Sequence, residues 1–494
     1  MTLGLMSTGA AGKAEDLLPW PGIAGRDEFF WITEVNKATL LTNTAKGLLT
    51  KKDAARFGRA VKAVAEEGAV AGSARPKMYI RYEPLVVAKA GLEATLMHAG
   101  RSSQDIHATF QRAILRDETL KLLKAQAAAV TGLLKLAHEN EDTLIPCYTN
   151  GVAAQPSNMA HVLLAHAQAF LRDMERSLAC YRRLNECPMG ACVLNAVDRA
   201  GMSAYLGFDR PVENTFDAGQ VGGTDVCVDA ALELVHPMLH VGQFIAELMQ
   251  QYAQPRPWIL VSATYASSAM PQKRNPGSLI DIRRDAGVVL AELNSVVMRT
   301  HNLPTGMYDA KDEKLNREIV GDASSVLERF AAVLGLLKVD KARALEELNL
   351  DWTASQELAD VLMRRFAIPF RVGHGFASRM VTVARTEGFT PKTFPIVKAQ
   401  AIYAALYEEL KAEVPELPAT FPLDETGFRA VLDSAHIVAE RAVAGGPQAS
   451  ELAQLFASVE KQLKVRTGDV TALADQLTSA QTRLNEDFEN LIHE

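Results

Sequence analysis

Long stretches of apolar residues at helical spacing constrain this chain more than any other feature of its sequence. Each stretch exceeds the three or so turns of an average globular helix. No run of alternating β-branched and aromatic residues bounded by turn pairs competes with them. The sequence therefore predicts an all-α fold in which long helices pack as a bundle. The five predicted helices cover residues 119–139, 157–184, 226–252, 279–301 and 314–338.

The segment 157–184 shows how such a helix would be used. Pro156 precedes it, and Met159, Val162, Leu163 and Phe170 recur at a spacing that places them on one broad face. That face packs either inside one chain or against another subunit. Periodicity alone does not separate these alternatives.

Proline and glycine divide the helical blocks. They cluster at 255–257, 271–277, 304–306, 415–422 and 445–447, which marks loops. Beyond Phe389 proline becomes more frequent, and we expect shorter helices in a separate C-terminal domain. The chain of 494 residues is long enough for several cores. We predict an N-terminal helical domain at 1–118, a central bundle at 119–370 and a C-terminal domain at 371–494.

Composition excludes several classes of partner. The 52 basic and 59 acidic residues are interspersed, with a net charge of -7, so nucleic acid is not expected. No long uninterrupted apolar run predicts a membrane span, and the first residues do not resemble a secretion signal. The five cysteines lack metal-ligand spacing, which favours reduced thiols and a cytoplasmic protein. Without a phosphate-binding or nicotinamide motif, we expect no cofactor and no metal.

The loop at 267–276, SSAMPQKRNP, carries the clearest chemical signal. Removal of a proton beside a carboxylate needs a base and donors that stabilise the charge arriving on that carboxylate. Ser267 can serve as the base only if its pKa is strongly lowered, which the Lys273 charge and the start of the next helix would favour. The alternative is an ordinary connecting loop.

This string closely resembles the loop GSSxMPxKxNP of fumarases, aspartases, adenylosuccinate lyases and argininosuccinate lyases, with Ala266 in place of glycine. The resemblance implies that Ser267 is the catalytic base and that Lys273 and Asn275 hold the substrate carboxylate. It also implies that the loop, with Ser268 and Met270, contacts the substrate and closes over it.

Other landmarks resemble the argininosuccinate lyase branch in particular. They are HAGRSSQD at 98–105, YTN at 148–150, AQP at 154–156, PMG at 188–190, LGF at 206–208, IPFR at 368–371 and the glycine pair at 445–446. The branch implies three helical domains and a homotetramer with a shared central bundle, whose active sites each combine three chains. Further substrate-binding residues implied by the resemblance are Arg101, Ser102, Ser103, Gln104, Thr149, Gln155 and Lys311.

The sequence departs from the branch where the family has a histidine supported by a glutamate. Asn150 stands at the histidine position and Ile280 at that of the glutamate. An amide does not titrate near neutrality, so the proton for the leaving amine must come from another group. Tyr148, Tyr308, water and the substrate itself remain candidates. Tyr308 lies nearest to a family tyrosine, and the predicted catalytic residues are Ser267, Asn150 and Tyr308.

Further departures lie in the carboxylate-binding loops. Ser103 and Gln104 replace an arginine and an asparagine, and GGTD at 222–225 replaces SDRD. Loss of bidentate guanidinium contacts indicates an altered amine half, whereas the residues for a fumarate-like half are kept. We predict a reversible carbon–nitrogen lyase that splits a small-molecule N-substituted aspartate into fumarate and an amine. The alternatives are argininosuccinate cleavage itself and a non-catalytic, crystallin-like binding or structural protein.

Overall fold

The computed structural model describes residues 26–191, 197–306 and 313–493, and within them the fold is all-α, as predicted. Short strands occur only as pairs among these residues. The helices are α1 Glu28–Ala45, α2 Lys51–Ala69, α3 Tyr79–Ala90, α4 Ser103–His138, α5 Met159–Leu184, α6 Arg199–Tyr205, α7 Gly222–Leu232, α8 Val235–Tyr252, α9 Gly277–Thr300, α10 Glu313–Leu334, α11 Lys341–Leu350, α12 Ser355–Phe366, α13 Phe370–Glu387, α14 Ile396–Leu410, α15 Glu425–Leu432, α16 Ser434–Ala439 and α17 Ala449–His493.

Four of the five long helices predicted from periodicity are present as single helices. Helices α5 and α9 match their segments within two residues at both ends, and α4 matches at its C-terminal end. Helix α10 matches at its N-terminal end but ends at Leu334, four residues before the predicted end. The segment 226–252 differs, because Glu233 and Leu234 separate α7 from α8. Phe170 on α5, Phe244 on α8 and Phe330 on α10 pack ring against ring between these helices. The apolar faces therefore meet inside one chain at this point.

The prediction of shorter helices towards the C-terminus is wrong for the last helix. Helix α17 spans 45 residues and is the longest described. Proline is frequent only up to Pro447, and none follows it. The N-terminal half of α17 packs into the central core, and its last turns, from Leu484 to Ile492, pack into the core of the first helices. One long helix thus connects two cores.

Three large clusters of buried apolar side chains and one small cluster lie among the described residues, and the predicted domain boundaries stay predictions. The central core is built mainly from α4, α5 and α8–α10, and the third runs from Trp352 to Ile437. The predicted division at residue 118 falls inside α4, which is continuous from Ser103 to His138. The first core also contains side chains from the last turns of α17.

In the described parts of the chain, eight short strands form four two-stranded pairs, which the sequence did not predict. The pair β1–β2 is an antiparallel hairpin, and β6–β7 is a second one. Both carry predicted site residues. The strands are β1 Leu144–Thr149, β2 Val152–Asn158, β3 Glu186–Cys187, β4 Arg210–Pro211, β5 Ile259–Val261, β6 Tyr265–Ala266, β7 Arg274–Asn275 and β8 Leu337–Val339.

Candidate active site

The predicted catalytic loop is the tip of the β6–β7 hairpin. Tyr265 pairs with Asn275, and Ala266 pairs with Arg274, so the two ends of the loop are held side by side. Helix α9 begins immediately afterwards at Gly277. The hairpin therefore presents Ser267 and its neighbours as one surface loop close to a helix N-terminus, where the helix dipole favours negative charge.

Ser267 is partly buried, and its Oγ accepts two backbone hydrogen bonds. The N–H groups of Ala269 and Met270 donate to this oxygen at 3.3 and 3.1 Å. Hydrogen bonds from donors strengthen when the acceptor becomes negative, so both contacts favour a deprotonated serine oxygen. This local turn supplies a feature that a serine base requires.

The other predicted residues of the loop stand around Ser267. Ser268, Met270 and Lys273 are exposed, and among the described residues no side chain pairs with the Lys273 ammonium group. The backbone N–H of Lys273 donates to the Met270 carbonyl at 3.0 Å, which closes a turn. The Asn275 amide donates to the Tyr265 carbonyl at 3.3 Å. The cation thus remains available for an anion, whereas Asn275 also holds the hairpin.

A second group of predicted residues lies on the β1–β2 hairpin. Thr149 ends β1, and Asn150 with Gly151 forms the two-residue turn. Their φ angles are 51° and 78°, the combination that a tight type I′ turn requires. Asparagine tolerates positive φ better than most residues, which suits Asn150 to this turn.

The pair Asn150-Gly151 is a hairpin turn signal in the sequence itself. Gln155, on β2 of the same hairpin, is exposed, and its Oε1 accepts from Arg441 Nη2 at 3.1 Å. Tyr148, one of the candidate proton donors, points its hydroxyl towards Trp258, whose Nε1 lies 3.5 Å away. The hairpin thus carries Tyr148, Thr149, Asn150 and Gln155 together.

Arg101 is buried, and the substrate-binding role predicted for it stays a prediction. Its guanidinium donates to Asn36 Oδ1 at 2.7 Å, Thr39 Oγ1 at 3.1 Å and the Tyr79 hydroxyl at 2.8 Å, and 2% of the residue is exposed. Preceding it, Gly100 has a φ of 76°, and a Cβ there would lie 1.7 Å from Val197 Cγ1. Gly100 and Arg101 therefore hold the chain just before α4 in place through buried contacts.

Ser102, Ser103 and Gln104 begin α4. Ser102 caps the helix, since its Oγ accepts from the Gln104 N–H at 3.2 Å while its own N–H donates to Asp105. Ser103 is exposed, and the Gln104 amide donates to the Gly219 carbonyl at 3.3 Å. The substrate-binding roles predicted for these three residues stay predictions.

Asp105 connects this helix start to the loop ahead of the undescribed residues 192–196. Its second carboxylate oxygen accepts from the Gly190 N–H at 2.9 Å. Burial raises the pKa of Asp105 to about 6, while the N–H groups of Ser102 and Gly190 act in the opposite direction. Protonation of Asp105 therefore affects the contact between the start of α4 and the Gly190 backbone.

Three groups of predicted residues occupy three separate elements: the start of α4, the β1–β2 hairpin and the β6–β7 loop. Among the described residues, no hydrogen bond or ion pair joins one group to another. Tyr308 and Lys311 lie outside the described residues. Ile280, at the position of the family glutamate, is partly exposed on α9.

Across the described parts of the chain, no group of three or more metal-binding side chains is gathered in one place. Cys147, Cys180, Cys187 and Cys227 are free thiols. Within the same parts, no helix has the length and apolarity that a membrane crossing demands.

Comparisons with known proteins agree with this architecture. Residues 50–291 match the family model described as Lyase. The argininosuccinate lyase of Methanothrix thermoacetophila is 28% identical over 488 residues, 95% of this chain and 96% of that protein. The argininosuccinate lyase of Methanoculleus marisnigri is 30% identical over 407 residues, 81% of this chain and 78% of that protein.

Solved structures share the fold. An EDDS lyase in complex with formate superposes with a TM-score of 0.85 at 22% identity, over 98% of this chain and 93% of that one. A class II fumarase from Schistosoma mansoni superposes with a TM-score of 0.62 at 14% identity, over 80% of this chain and 91% of that one. From the argininosuccinate lyase relatives and the motifs, the chain belongs to the argininosuccinate lyase family and is a carbon–nitrogen lyase.

Proposed function

We propose that this protein splits an N-substituted aspartate into fumarate and an amine, with Ser267 as the base. The observation that carries the proposal is the environment of Ser267 Oγ, which accepts from two backbone N–H groups at the tip of a short hairpin. These donors and the start of α9 favour the negative oxygen that proton removal needs.

The elimination follows from this arrangement. Ser267 removes a proton from the carbon beside the distal carboxylate, and the electron pair moves onto that carboxylate as an aci-carboxylate. Lys273 stabilises the added charge, and Asn275 contributes its amide. The electron pair then returns to form the carbon–carbon double bond, the carbon–nitrogen bond breaks, and the amine leaves with a proton.

The leaving amine needs a proton that Asn150 does not provide, because a carboxamide does not titrate near neutrality. Tyr148 is the described candidate for this donor, since it lies on the hairpin beside Asn150. The relatives named argininosuccinate lyase favour one specific alternative, argininosuccinate itself as the substrate. Both versions release fumarate and differ only in the amine.

We further propose that each active site is completed by other copies of this chain. The three groups of predicted residues sit on separate elements, and Ser268, Met270, Lys273 and Thr149 are exposed. A homotetramer of the kind implied by the family would bring such surfaces together. Light scattering of the purified protein measures this state directly; a monomer with full activity would contradict it.

The proposal is tested by following fumarate absorbance during incubation with argininosuccinate and with a panel of N-substituted aspartates. The matched control is Ser267→Ala, which removes the base and leaves the other residues of the loop unchanged. General base removal should lower kcat by about 10²–10⁴-fold. Turnover of a panel member that survives in Ser267→Ala would refute the role of the serine, and absence of fumarate from every compound would refute the proposed reaction.

A further inference from the structure

A cavity of about 390 Å³ lies beneath the β1–β2 hairpin. Helices α5 and α8 and the start of β5 form its other walls, and Phe244 and Trp258 contribute aromatic faces. Tyr148 and Asn150 belong to the lining as well. The cavity therefore reaches the turn at which the family carries its histidine, and its volume falls within the range for small-molecule sites.

Among the described residues that line this cavity, Glu247 alone carries a charge. Half of its side chain is exposed, and one carboxylate oxygen lies 3.3 Å from His166 Nε2. The remaining acceptor capacity of the carboxylate is free for a ligand. A cavity with aromatic walls and one carboxylate favours a cation over an anion or a neutral group.

Gln251 supplies a second acceptor, one helical turn along α8 from Glu247. Only 4% of the residue is exposed, and its Oε1 has no hydrogen-bond donor among the described residues. A buried acceptor without a partner is unfavourable, so a ligand that donates an N–H group here gains more than one that does not. Glu247 and Gln251 therefore both favour a ligand that donates N–H groups.

We propose that this cavity binds the amine half of the substrate, and that this half carries a second, cationic nitrogen on a short apolar spacer. The inference rests on the proposed function and specifies its substrate class. The spacer would pack against Phe244 and Trp258, and the terminal cation would donate to Glu247 and Gln251. The departing nitrogen would then lie near Tyr148 and Asn150 at the hairpin.

Two isosteric probes test the proposal. N-(3-aminopropyl)aspartate and N-butylaspartate differ only in a terminal ammonium or methyl group. We expect the cationic probe to have the higher kcat/KM by roughly tenfold to a hundredfold, the value of a charged hydrogen bond. Glu247→Gln should reduce this ratio to near one, chiefly through KM, and Gln251→Leu should reduce it less.

Glu416→Gln is the matched control, because it removes the same charge from an exposed residue outside the cavity. This variant should keep the ratio of the wild type. Equal kcat/KM for the two probes in the wild type, or an unchanged ratio in Glu247→Gln, would overturn the inference.

A binding measurement separates failure of the cavity from failure of the reaction. Calorimetry with Ser267→Ala should detect N-(3-aminopropyl)aspartate binding more tightly than N-butylaspartate, and Glu247→Gln in the same background should abolish the difference. If neither probe is cleaved but the cationic probe binds more tightly in this way, the proposed reaction is wrong and the cation site stands. If fumarate forms but both probes bind equally, the cation site is wrong and the reaction stands.

Discussion

Replacement of Gly151 by alanine should weaken the β1–β2 hairpin through the backbone alone. This glycine has a φ of 78°, and an added Cβ would meet nothing within 4 Å. The cost is therefore the left-handed conformation itself, about 1–2 kcal/mol for a residue with a Cβ. No contact is gained or lost to obscure it.

Gly468 provides the matched control. It lies in the interior of α17, is exposed, and an added Cβ there would also meet nothing within 4 Å. Its φ is ordinary for a helix, so Gly468→Ala should stabilise the fold by about 0.5–1 kcal/mol. The two alanine variants should therefore differ by about 1.5–3 kcal/mol, with opposite signs relative to the wild type.

Hydrogen exchange measures the effect where it arises, because the hairpin can open without unfolding of the whole chain. Amides of β1 and β2 should exchange faster in Gly151→Ala, by about tenfold for each 1.4 kcal/mol, and remain unchanged in Gly468→Ala. The kcat/KM for fumarate release should fall with hairpin protection, since Thr149 and Asn150 are held by this turn. Equal or slower hairpin exchange in Gly151→Ala would refute the assigned turn.

Three further predictions follow from individual side chains. Asn150→His should fold, because histidine also tolerates positive φ, and should add an ionisation near pH 6.5 to the kcat profile; an unchanged profile would place residue 150 away from the reaction. Burial raises the pKa of Asp105 from its ordinary value of 3.8 to about 6, so the stability of the wild type relative to Asp105→Asn should be greatest below about pH 4 and decline by about 2–3 kcal/mol as pH rises through 6; denaturant titrations of both proteins across this range check the sign. Phe330→Ala should destabilise the central core by about 3–5 kcal/mol, since this ring is fully buried between two other phenylalanines; a loss below about 1 kcal/mol in the same titrations would contradict that packing.

Periodicity and motifs predicted much of this molecule. The 3.6-residue repeat identified the long central helices because their buried faces are continuous, and the SSAMPQKRNP string located the loop of Ser267. Helix α17 was not predicted, because the prolines between residues 415 and 447 indicate shorter helices and lie entirely before this helix begins.

Contacts between distant segments were beyond reach of the sequence. Arg101 belongs to a motif that predicted substrate binding, yet its partners Asn36, Thr39 and Tyr79 surround it inside the first core. Gln251 is one of many polar residues on α8, and only the fold shows that its side-chain oxygen is buried without a donor beside a cavity. Burial and partner geometry decide such roles, and neither has a local signature.

The central claim is that Ser267 removes a carbon-bound proton, and deuterium incorporation tests it most directly. Fumarate and a cleavable amine are incubated with the protein in D₂O, and the addition product is analysed by NMR. The wild type should place one deuterium on the carbon beside the distal carboxylate, and Ser267→Ala should do so about 10²–10⁴-fold more slowly. Deuterium incorporation at the wild-type rate in Ser267→Ala would contradict the account.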